Sequence, residues 1–307
     1  MPLEVSPYTP SDRDALHALA RHPSLAGEYE RLLHNGELDD PAAHPKAWPD
    51  GAWIVRVDGT PAGFAMLLRL EQAARGRWAF LRIGVIAPLR RRGAGDALLA
   101  AALARLRAEP EAERPFEIAA SAWHPADEAG PFLEHRGFVH ARWFWIMHRP
   151  HAPVAAPAWP SGVTVRPFDG SDDDLRAWTT CFNDAFADHW SSSTASNEES
   201  RAITRTAPFR ADGLLFAWRD GRCVGFARNS LYPDYGEVDV LGVVRAARGV
   251  GLGRALLRWS VAWLEARSVP RVILSVDGEN ANAAALYRSE GFVVERTREA
   301  WTRRPAV

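Results

Sequence analysis

Lysine, cysteine and long apolar runs are all scarce in this chain of 307 residues. Of its 37 lysines and arginines, Lys46 is the single lysine. The planar guanidinium of arginine suits phosphate and carboxylate groups, but a GC-rich genome favours arginine codons equally well, and we interpret the bias as genomic. The two cysteines, Cys181 and Cys223, stand in no CxxC or metal-ligand spacing, which predicts reduced thiols and no metal site.

Other absences restrict the location and the partners. The amino-terminal segment lacks a basic stretch followed by an apolar one, and no run of about 18 apolar residues occurs in the sequence. We therefore expect a cytoplasmic protein with no membrane partner. The formal net charge of −1 argues against a nucleic-acid partner. What remains is a small-molecule partner, bound by a monomer or a homodimer.

What the sequence does contain is a repeat. At about 100–200 residues a domain the length predicts two domains, and 47% hydrophobic residues suffice for sizeable cores. Four landmarks recur in the same order in the two halves, namely Asp12 and Asp172, Gly63 and Gly225, Gly93 and Gly251, and Gly137 and Gly291. Their offsets are 160, 162, 158 and 154 residues, which indicates a duplication.

A segment rich in proline and alanine lies between the halves and opposes both helix and central strand. We predict a first domain over residues 1–149, a linker over 150–161 and a second domain over 162–307. In each half the pattern predicts a strand, a helix pair, three further strands, a helix, a strand, a helix and a last strand. The predicted fold class is therefore α+β, a mixed αβ sheet domain present twice.

The segment most informative about chemistry is RGVGLG, residues 248–253, which joins an apolar strand pattern to a helical one. Such a turn directs successive N–H groups and the positive end of a helix dipole at one point, and glycine allows a ligand close to the backbone. It predicts a phosphate or pyrophosphate site, although purely structural turns share this composition. The spacing fits neither a P-loop nor a Rossmann dinucleotide turn.

Several motifs in order resemble those of the GCN5-related N-acetyltransferases (GNAT). They are Leu241-Gly-Val243, Arg248-x-x-Gly251-x-Gly253, Glu279-Asn280 and Leu286-Tyr287-x-x-x-Gly291-Phe292, with Ile83-Gly-Val85 and Arg90-x-x-Gly93-x-Gly95 as partial copies in the first half. The resemblance implies tandem GNAT domains, each with a central, mostly antiparallel sheet flanked by helices. It also implies acetyl-CoA (coenzyme A) as the cofactor.

By the same resemblance, the arginine–glycine turn holds the pyrophosphate of acetyl-CoA, and the preceding strand carries the pantetheine arm by main-chain hydrogen bonds. The coenzyme-binding residues implied in the second half are Leu241, Gly242, Val243, Arg248, Gly249, Val250, Gly251, Leu252, Gly253, Arg254, Asn280 and Tyr287. Those of the first half are Ile83, Val85, Arg90, Arg91, Arg92, Gly93 and Gly95.

We assign catalysis to the second half. At offsets of 158 and 154 residues, Ala79 stands where the second half has Glu237, and Leu133 where it has Tyr287. An acceptor amine with a pKa of about 8 to 10.4 is protonated at neutral pH, so a base must take its proton. The resemblance implies Glu237 as this base, with Asp239 on the same strand as the reserve. It implies Tyr287 as the general acid that protonates the departing thiolate.

The predicted function is an acetyl-CoA-dependent N-acetyltransferase that acetylates the primary amine of a small molecule. Two alternatives stand beside it: a non-catalytic acyl-CoA-binding or scaffold protein, and a narrower acetyltransferase of a cysteinyl sugar amine. For both acids the structural alternative is a solvated or salt-bridged carboxylate. Phe182, Phe186 and Trp190 recur at helical spacing, which favours the core stripe of an amphipathic helix over contact with the acceptor.

Overall fold

In a computed structural model the chain forms two compact units, and each is described by itself. The N-terminal unit comprises Met1–Ala141 and Glu299–Val307, and the C-terminal unit comprises Arg142–Arg298. The residues that the structure describes are 2–41, 44–72, 76–115, 117–190 and 193–304.

The N-terminal unit is a mixed sheet with helices on both faces. Its strands are β1 (Leu3–Pro7), β2 (Ala47–Val57), β3 (Thr60–Gln72), β4 (Gly76–Val85), β5 (Glu117–Trp123) and the start of β6 (Val139–Arg149). Its helices are α1 (Arg13–Arg21), α2 (Ala26–His34), α3 (Ala94–Arg107) and α4 (Ala129–Glu134). Strands β1 to β4 are antiparallel neighbours, and β4 pairs with β5 in parallel. Helices α1 and α2 cover one face of the sheet and α3 covers the other.

The C-terminal unit repeats this order. Its further strands are β7 (Thr164–Pro167), β8 (Phe209–Arg219), β9 (Arg222–Leu231), β10 (Gly236–Val243), β11 (Val272–Asp277) and β12 (Val293–Arg303). Its helices are α5 (Asp172–Phe186), α6 (Asn197–Ile203), α7 (Leu252–Glu265) and α8 (Ala281–Ser289). Strands β7 to β10 are antiparallel neighbours, and β10 pairs with β11 in parallel. The predicted duplication and mixed fold are confirmed.

The sheet of each unit includes strand residues from the other half of the chain. Strand β6 pairs antiparallel with β11 over residues 144–149. Strand β12 neighbours β5, and its Glu299 lies in the N-terminal unit, 2.7 Å from His124. The compact units therefore do not divide at the predicted linker, residues 150–161, because the last strand of each repeat has been exchanged.

Two apolar layers build the core of the C-terminal unit. On one face, α7 buries Leu257, Val261 and Leu264 at helical spacing against Val238 and its neighbours on the sheet. On the other face, α5 packs against β8 and β9. We call these the α7 face and the α5 face of the sheet.

Two general features of the described residues bear on function. No helix among them is both long and apolar enough to cross a membrane, and no three His, Cys, Asp or Glu side chains gather as ligands for a metal ion. Cys181 and Cys223 are free thiols in the apolar cluster of the α5 face.

Candidate active site

Strands β10 and β11 run side by side for three residues and then separate. Their parallel pairing joins Gly236–Val238 to Val272–Leu274, whereas β10 continues to Val243 and β11 to Asp277. Beyond these three residues, the facing edges of β10 and β11 are joined by no hydrogen-bonded ladder among the described residues. They present main-chain N–H and C=O groups, which require hydrogen-bond partners. We call this gap the β10–β11 cleft.

Alternation of the peptide groups shows which of them face the cleft. The N–H of Val244 donates to the C=O of Val224 on β9 at 3.0 Å. Peptide groups alternate in direction along an antiparallel strand, so those of Leu241 and Val243 face away from β9. The C=O of Val243 accepts a hydrogen bond from Nε of Arg248 at 3.0 Å. The N–H of Val243 and both polar groups of Leu241 are therefore directed at the cleft.

A glycine turn follows β10 and begins α7. Gly249 and Gly251 have φ of +81° and +89°, and a Cβ on either would meet none of the described atoms within 4 Å. Gly251 is the N-cap of α7 and no side chain caps this helix end, so the N–H groups of the first turn have no partner within the helix. The open, positively polarised turn fits the pyrophosphate of coenzyme A.

Three of the residues implied as coenzyme ligands use their side chains elsewhere. Nη2 of Arg248 donates to the C=O of Ala185 near the end of α5 at 2.8 Å. Arg254 pairs with Glu290 after α8, and the Asn280 side chain caps the start of α8. Their side chains fix the helices around the turn.

Glu237 lies on the α5 face of β10, with 4% of the residue exposed. Its neighbours face α7: a Cβ on Gly236 would lie 2.7 Å from Leu264, and Val238 belongs to the α7-face cluster. Successive side chains of a strand point to opposite faces, so Glu237 points to the α5 face. Its partner in register on β9 is Ser230.

Asp239 takes part in a buried ion pair. Its Oδ2 accepts from Nη2 of Arg228 at 2.7 Å and from Oγ of Ser230 at 2.9 Å. The side chains of Asp239 and Arg228 are 8% and 10% exposed. The Arg228 guanidinium also lies 5.5 Å from the ring centroid of Trp178 on α5. Neither Arg228 nor Ser230 follows from the family resemblance; the available signal was a polar run, residues 228–230, within an apolar strand pattern.

Tyr287 lies on α8 among the apolar side chains of the α7 face, 6.1 Å from Phe292 between ring centroids. Burial raises the pKa of Tyr287 to about 12, so the phenol keeps its proton at neutral pH. Glu237 and Tyr287 are therefore on opposite faces of the sheet, and the β10–β11 cleft is the opening between those faces.

Half-buried side chains surround the end of β11, on the α5 face. Asp277 accepts a hydrogen bond from Arg142 at 3.2 Å, and the Arg142 guanidinium lies 5.3 Å from the ring centroid of Trp190. Phe144 is the register partner of Asp277 and lies 6.1 Å from Trp190 between centroids. Nearby, burial lowers the pKa of His189. Arg142 and Phe144 belong to β6, so sequence comparison of the second half alone could not find them.

The predicted aromatic stripe is divided in the structure. Phe182 and Phe186 lie 5.0 Å apart on α5 and pack against the α5-face cluster, as expected of a core stripe. Helix α5 ends at Phe186. The prediction is therefore wrong for Trp190, which lies beyond the helix and contacts Phe144 instead.

In the N-terminal unit, protein groups occupy the corresponding strand edge. The N–H of Ile86 bonds to β3, so by the same alternation the C=O of Ile83 faces β5. It accepts a hydrogen bond from the Tyr29 hydroxyl of α2 at 2.6 Å. The indole of Trp123, at the end of β5, donates to the C=O of Gly27 on α2 at 2.8 Å. Helix α2 thus occupies the edge that the C-terminal unit leaves open.

The glycine turn of the N-terminal unit keeps the same backbone shape. Nε of Arg90 bonds to the C=O of Val85 at 2.9 Å, as Arg248 does to Val243. Gly93 is the N-cap of α3 and has φ +83°. Arg91, a residue other than glycine, also lies in the left-handed region, with φ +59°. Arg91 and Arg92 are exposed. Gly95 packs under Phe132 of α4, since a Cβ there would lie 3.0 Å from its ring.

A repeated mixed sheet, a pair of parallel strands that separate, and a glycine turn at a helix start are the features expected of the predicted tandem acyltransferase. The chain belongs to the Acetyltransferase (GNAT) family, whose sequence profile matches residues 17–138 and 175–292. Both matches together cover most of both repeats, so the tandem arrangement is confirmed.

Curated relatives name the activity more closely. The mycothiol acetyltransferase of Thermomonospora curvata is 37% identical over 238 residues, which are 76% of each chain. That of Thermobispora bispora is 32% identical over 300 residues, covering 92% of this chain and 93% of the relative. The chain is therefore an N-acetyltransferase, similar to these enzymes in sequence and in tandem organisation.

Solved structures agree on the fold. A GCN5-related N-acetyltransferase from Sphaerobacter thermophilus superposes with a TM-score of 0.71 at 24% identity, covering 99% of this chain and 97% of that one. A tandem GNAT protein from the clavulanic acid biosynthesis pathway gives 0.73 at 20% identity, covering 100% and 99%. At these identities the likeness shows the fold alone.

Proposed function

We propose that the protein acetylates the primary amine of a small molecule with acetyl-CoA, and that the C-terminal unit is the catalytic one. The observation that carries the proposal is Glu237, a buried carboxylate directed to the α5 face where the β10–β11 cleft begins. The N-terminal unit has Ala79 at the corresponding position. It also has Tyr29 bonded to the strand edge that would have to be open.

Acetyl-CoA supplies the acetyl group as an activated thioester. Gly249, Gly251 and the N–H groups at the start of α7 fit its pyrophosphate, because the turn is open and the helix start has no side-chain cap. The peptide groups of Leu241 and Val243 suit its pantetheine arm, as an added strand would use them.

Glu237 is proposed as the general base. A base of this kind must lie within hydrogen-bond reach of the ammonium that it deprotonates, directly or through one water. Asp239 is less suited, because its carboxylate already accepts hydrogen bonds from Arg228 and Ser230. The structure therefore favours Glu237 over its neighbour.

Two donors complete the proposed machinery. The N–H of Val243 faces the cleft and can stabilise the charge that develops on the acetyl carbonyl oxygen, as a preorganised donor does in other acyl transfers. The Tyr287 hydroxyl keeps its proton because its pKa is about 12, and it is proposed to donate that proton to the departing sulfur.

The test of the base is Glu237→Gln, assayed by release of the coenzyme A thiol. Losing a general base costs about 10²–10⁴ in turnover, and we expect this loss with coenzyme A affinity unchanged by calorimetry, because Gln keeps the shape of the side chain. Asp234→Asn, at an exposed position in the β9–β10 loop, is the matched control and should retain full turnover. Equal turnover in Glu237→Gln and wild type would reject Glu237 as the base.

A narrower candidate is acetylation of the mycothiol precursor. It is favoured by the identities of 30–37% to enzymes named mycothiol acetyltransferase over up to 98% of this chain. The assay that separates the two is a panel of cysteinyl sugars, aminoglycosides, polyamines and amino acids at equal concentration. A kcat/KM at least about tenfold higher for a cysteinyl sugar supports the narrower function, and a preference for another amine supports the broader one alone. Thiol release with none of these amines, despite coenzyme binding, would favour a binding protein over an enzyme.

A further inference from the structure

Strand β10 contains a bulge at Asp239. Its register with β9 runs through Val238↔Asn229 and resumes at Val240↔Arg228, so Asp239 is an extra residue on β10. An extra residue reverses the side-chain alternation of a strand. The bulge therefore decides which face the residues before it point to.

The two sides of the bulge show this reversal. After it, Leu241 and Val243 pack on the α7 face, while a Cβ on Gly242 would meet Phe186 of α5. In a regular strand, a residue four positions before Leu241 shares its face. Glu237 would then point beneath α7, into the apolar core. It points to the α5 face instead because of the bulge.

The N-terminal unit provides the comparison within the same chain. The register of β3 with β4 is continuous over ten pairs, from Gly63↔Val85 to Gln72↔Gly76. Accordingly Ala79, which lies six residues before Val85 as Glu237 lies six residues before Val243, packs on the α3 face together with Leu81 and Ile83. The repeat that lacks a bulge thus directs this position into the helix-covered core.

The two repeats also differ in the residues that contact the bulge. Met66 of the N-terminal unit stands where the C-terminal unit has Arg228, and no residue there corresponds to the extra Asp239. Met66 and Leu81, the residue 158 positions before Asp239, are both buried and apolar. In the C-terminal unit, Arg228 and Ser230 of β9 both donate to the carboxylate of the bulged residue. A buried carboxylate is stable only with such partners.

We propose that Arg228 is a positioning residue: by holding Asp239 in the bulge of β10, it keeps the Glu237 carboxylate on the α5 face. The proposal rests on the proposed function, in which Glu237 is the base. Trp178 of α5 supports Arg228 from the side opposite the sheet, through the contact of 5.5 Å. Replacing the pair by the residues of the other repeat removes the need for a bulge.

The test is the double variant Arg228→Met with Asp239→Leu. Exchange of a buried ion pair for apolar residues of similar volume is often tolerated, so we expect a folded protein that still binds coenzyme A. Turnover should fall by about 10²–10⁴, as for Glu237→Gln. Adding Glu237→Gln to the double variant should change turnover by less than about twofold, because the base is already misplaced. A crystal structure should show a continuous β9–β10 register and Glu237 beneath α7.

The proposal is overturned if the double variant keeps turnover within about threefold of wild type, if the two losses multiply, or if the bulge persists in its structure. Arg228→Lys retains the charge and should retain most of the turnover. Arg271→Met with Glu295→Leu, which removes another ion pair of the C-terminal unit, is the control and should leave turnover unchanged. Should the double variant not fold, Asp239→Asn is used, with an intermediate loss expected and full turnover contradicting the proposal.

Failure of the proposed function gives a different pattern. If Glu237 is not the base, the single variant Glu237→Gln, in which Arg228 is unchanged, is fully active. The crystallographic register of the double variant then still decides whether the ion pair maintains the bulge, since that measurement does not depend on activity.

Discussion

Burial determines the protonation state of the Tyr287 hydroxyl. An exposed tyrosine has a pKa of about 10, whereas burial on the α7 face raises the pKa of Tyr287 to about 12. The raised value means that the protonated form is the stable one up to strongly alkaline pH. Tyr287 is therefore present as the protonated phenol when the thiolate departs, and its raised pKa makes it a weaker acid than an exposed tyrosine.

Tyr287→Phe should therefore lower kcat by about 10²-fold or more while leaving the KM for acetyl-CoA nearly unchanged, since the ring still packs against Phe292. In the wild type, kcat should not decline between pH 9 and about 11 through loss of this proton. The measurement is the pH dependence of kcat for both proteins, with Tyr8→Phe in the N-terminal unit as control. An alkaline decline centred near pH 10, absent from Tyr287→Phe, would contradict this role.

At the level of elements, the two glycine turns have the same backbone shape but differ in the strand edge that lies beside them. Gly93 and Gly251 cap their helices with nearly equal φ, +83° and +89°. Only the turn of the C-terminal unit adjoins an open strand edge, because Tyr29 bonds to Ile83 in the other unit. We therefore propose that the same turn serves as an anion site in the C-terminal unit and only as a connection in the N-terminal unit.

Gly251→Val should raise the KM for acetyl-CoA at least about tenfold, because a branched side chain at positive φ is strained by about 1–2 kcal/mol and stands where the pyrophosphate is expected. Gly93→Val carries the same strain and should lower the unfolding free energy similarly without changing this KM. Thermal unfolding and steady-state kinetics of both variants test the pair. Equal increases in KM would show that the N-terminal turn also binds the coenzyme.

The order of elements was predictable and the bulge was not. The apolar pattern before the glycine turn predicted a strand, and β10 is found there. That strand is covered on both faces, so its apolar pattern does not show which side chains point to which face. Val238 packs on the α7 face and Val240 on the α5 face, although a regular strand would place these two residues on the same face. The glycine turn was predictable because its chemistry is local. The contacts of Asp239 were not, since they join residues of two strands.

For the whole molecule, the exchange of last strands limits how the chain can be divided. The β11 edge that β6 covers carries Val272, Leu274 and Val276. Cutting at the linker would expose this apolar strand as a sheet edge, which promotes aggregation. The sequence repeat indicates two domains, but only the structure shows that the N-terminal unit is built from two separate segments and that the C-terminal unit begins at Arg142, before the predicted linker.

A fragment of residues 162–307 should therefore be largely insoluble or aggregated, whereas a fragment of residues 142–298, which retains the β6 partner of β11, should be more soluble and show a cooperative unfolding transition. Size-exclusion chromatography and circular dichroism of the two fragments provide the comparison. A monomeric, folded and active 162–307 fragment would contradict the requirement for β6.

The exchange also bears on the history of the gene. On the proposed function, the first copy lacks the carboxylate that acts as the base, and a copy without its own activity would ordinarily be free to decay or to be deleted. Here the first copy encodes β6, which carries Arg142 and Phe144 into the C-terminal unit. Deleting it would remove a strand and part of the surroundings of Asp277 from the proposed catalytic copy. We therefore expect selection on the second copy to preserve the coding sequence of the first, even where the first has no activity of its own.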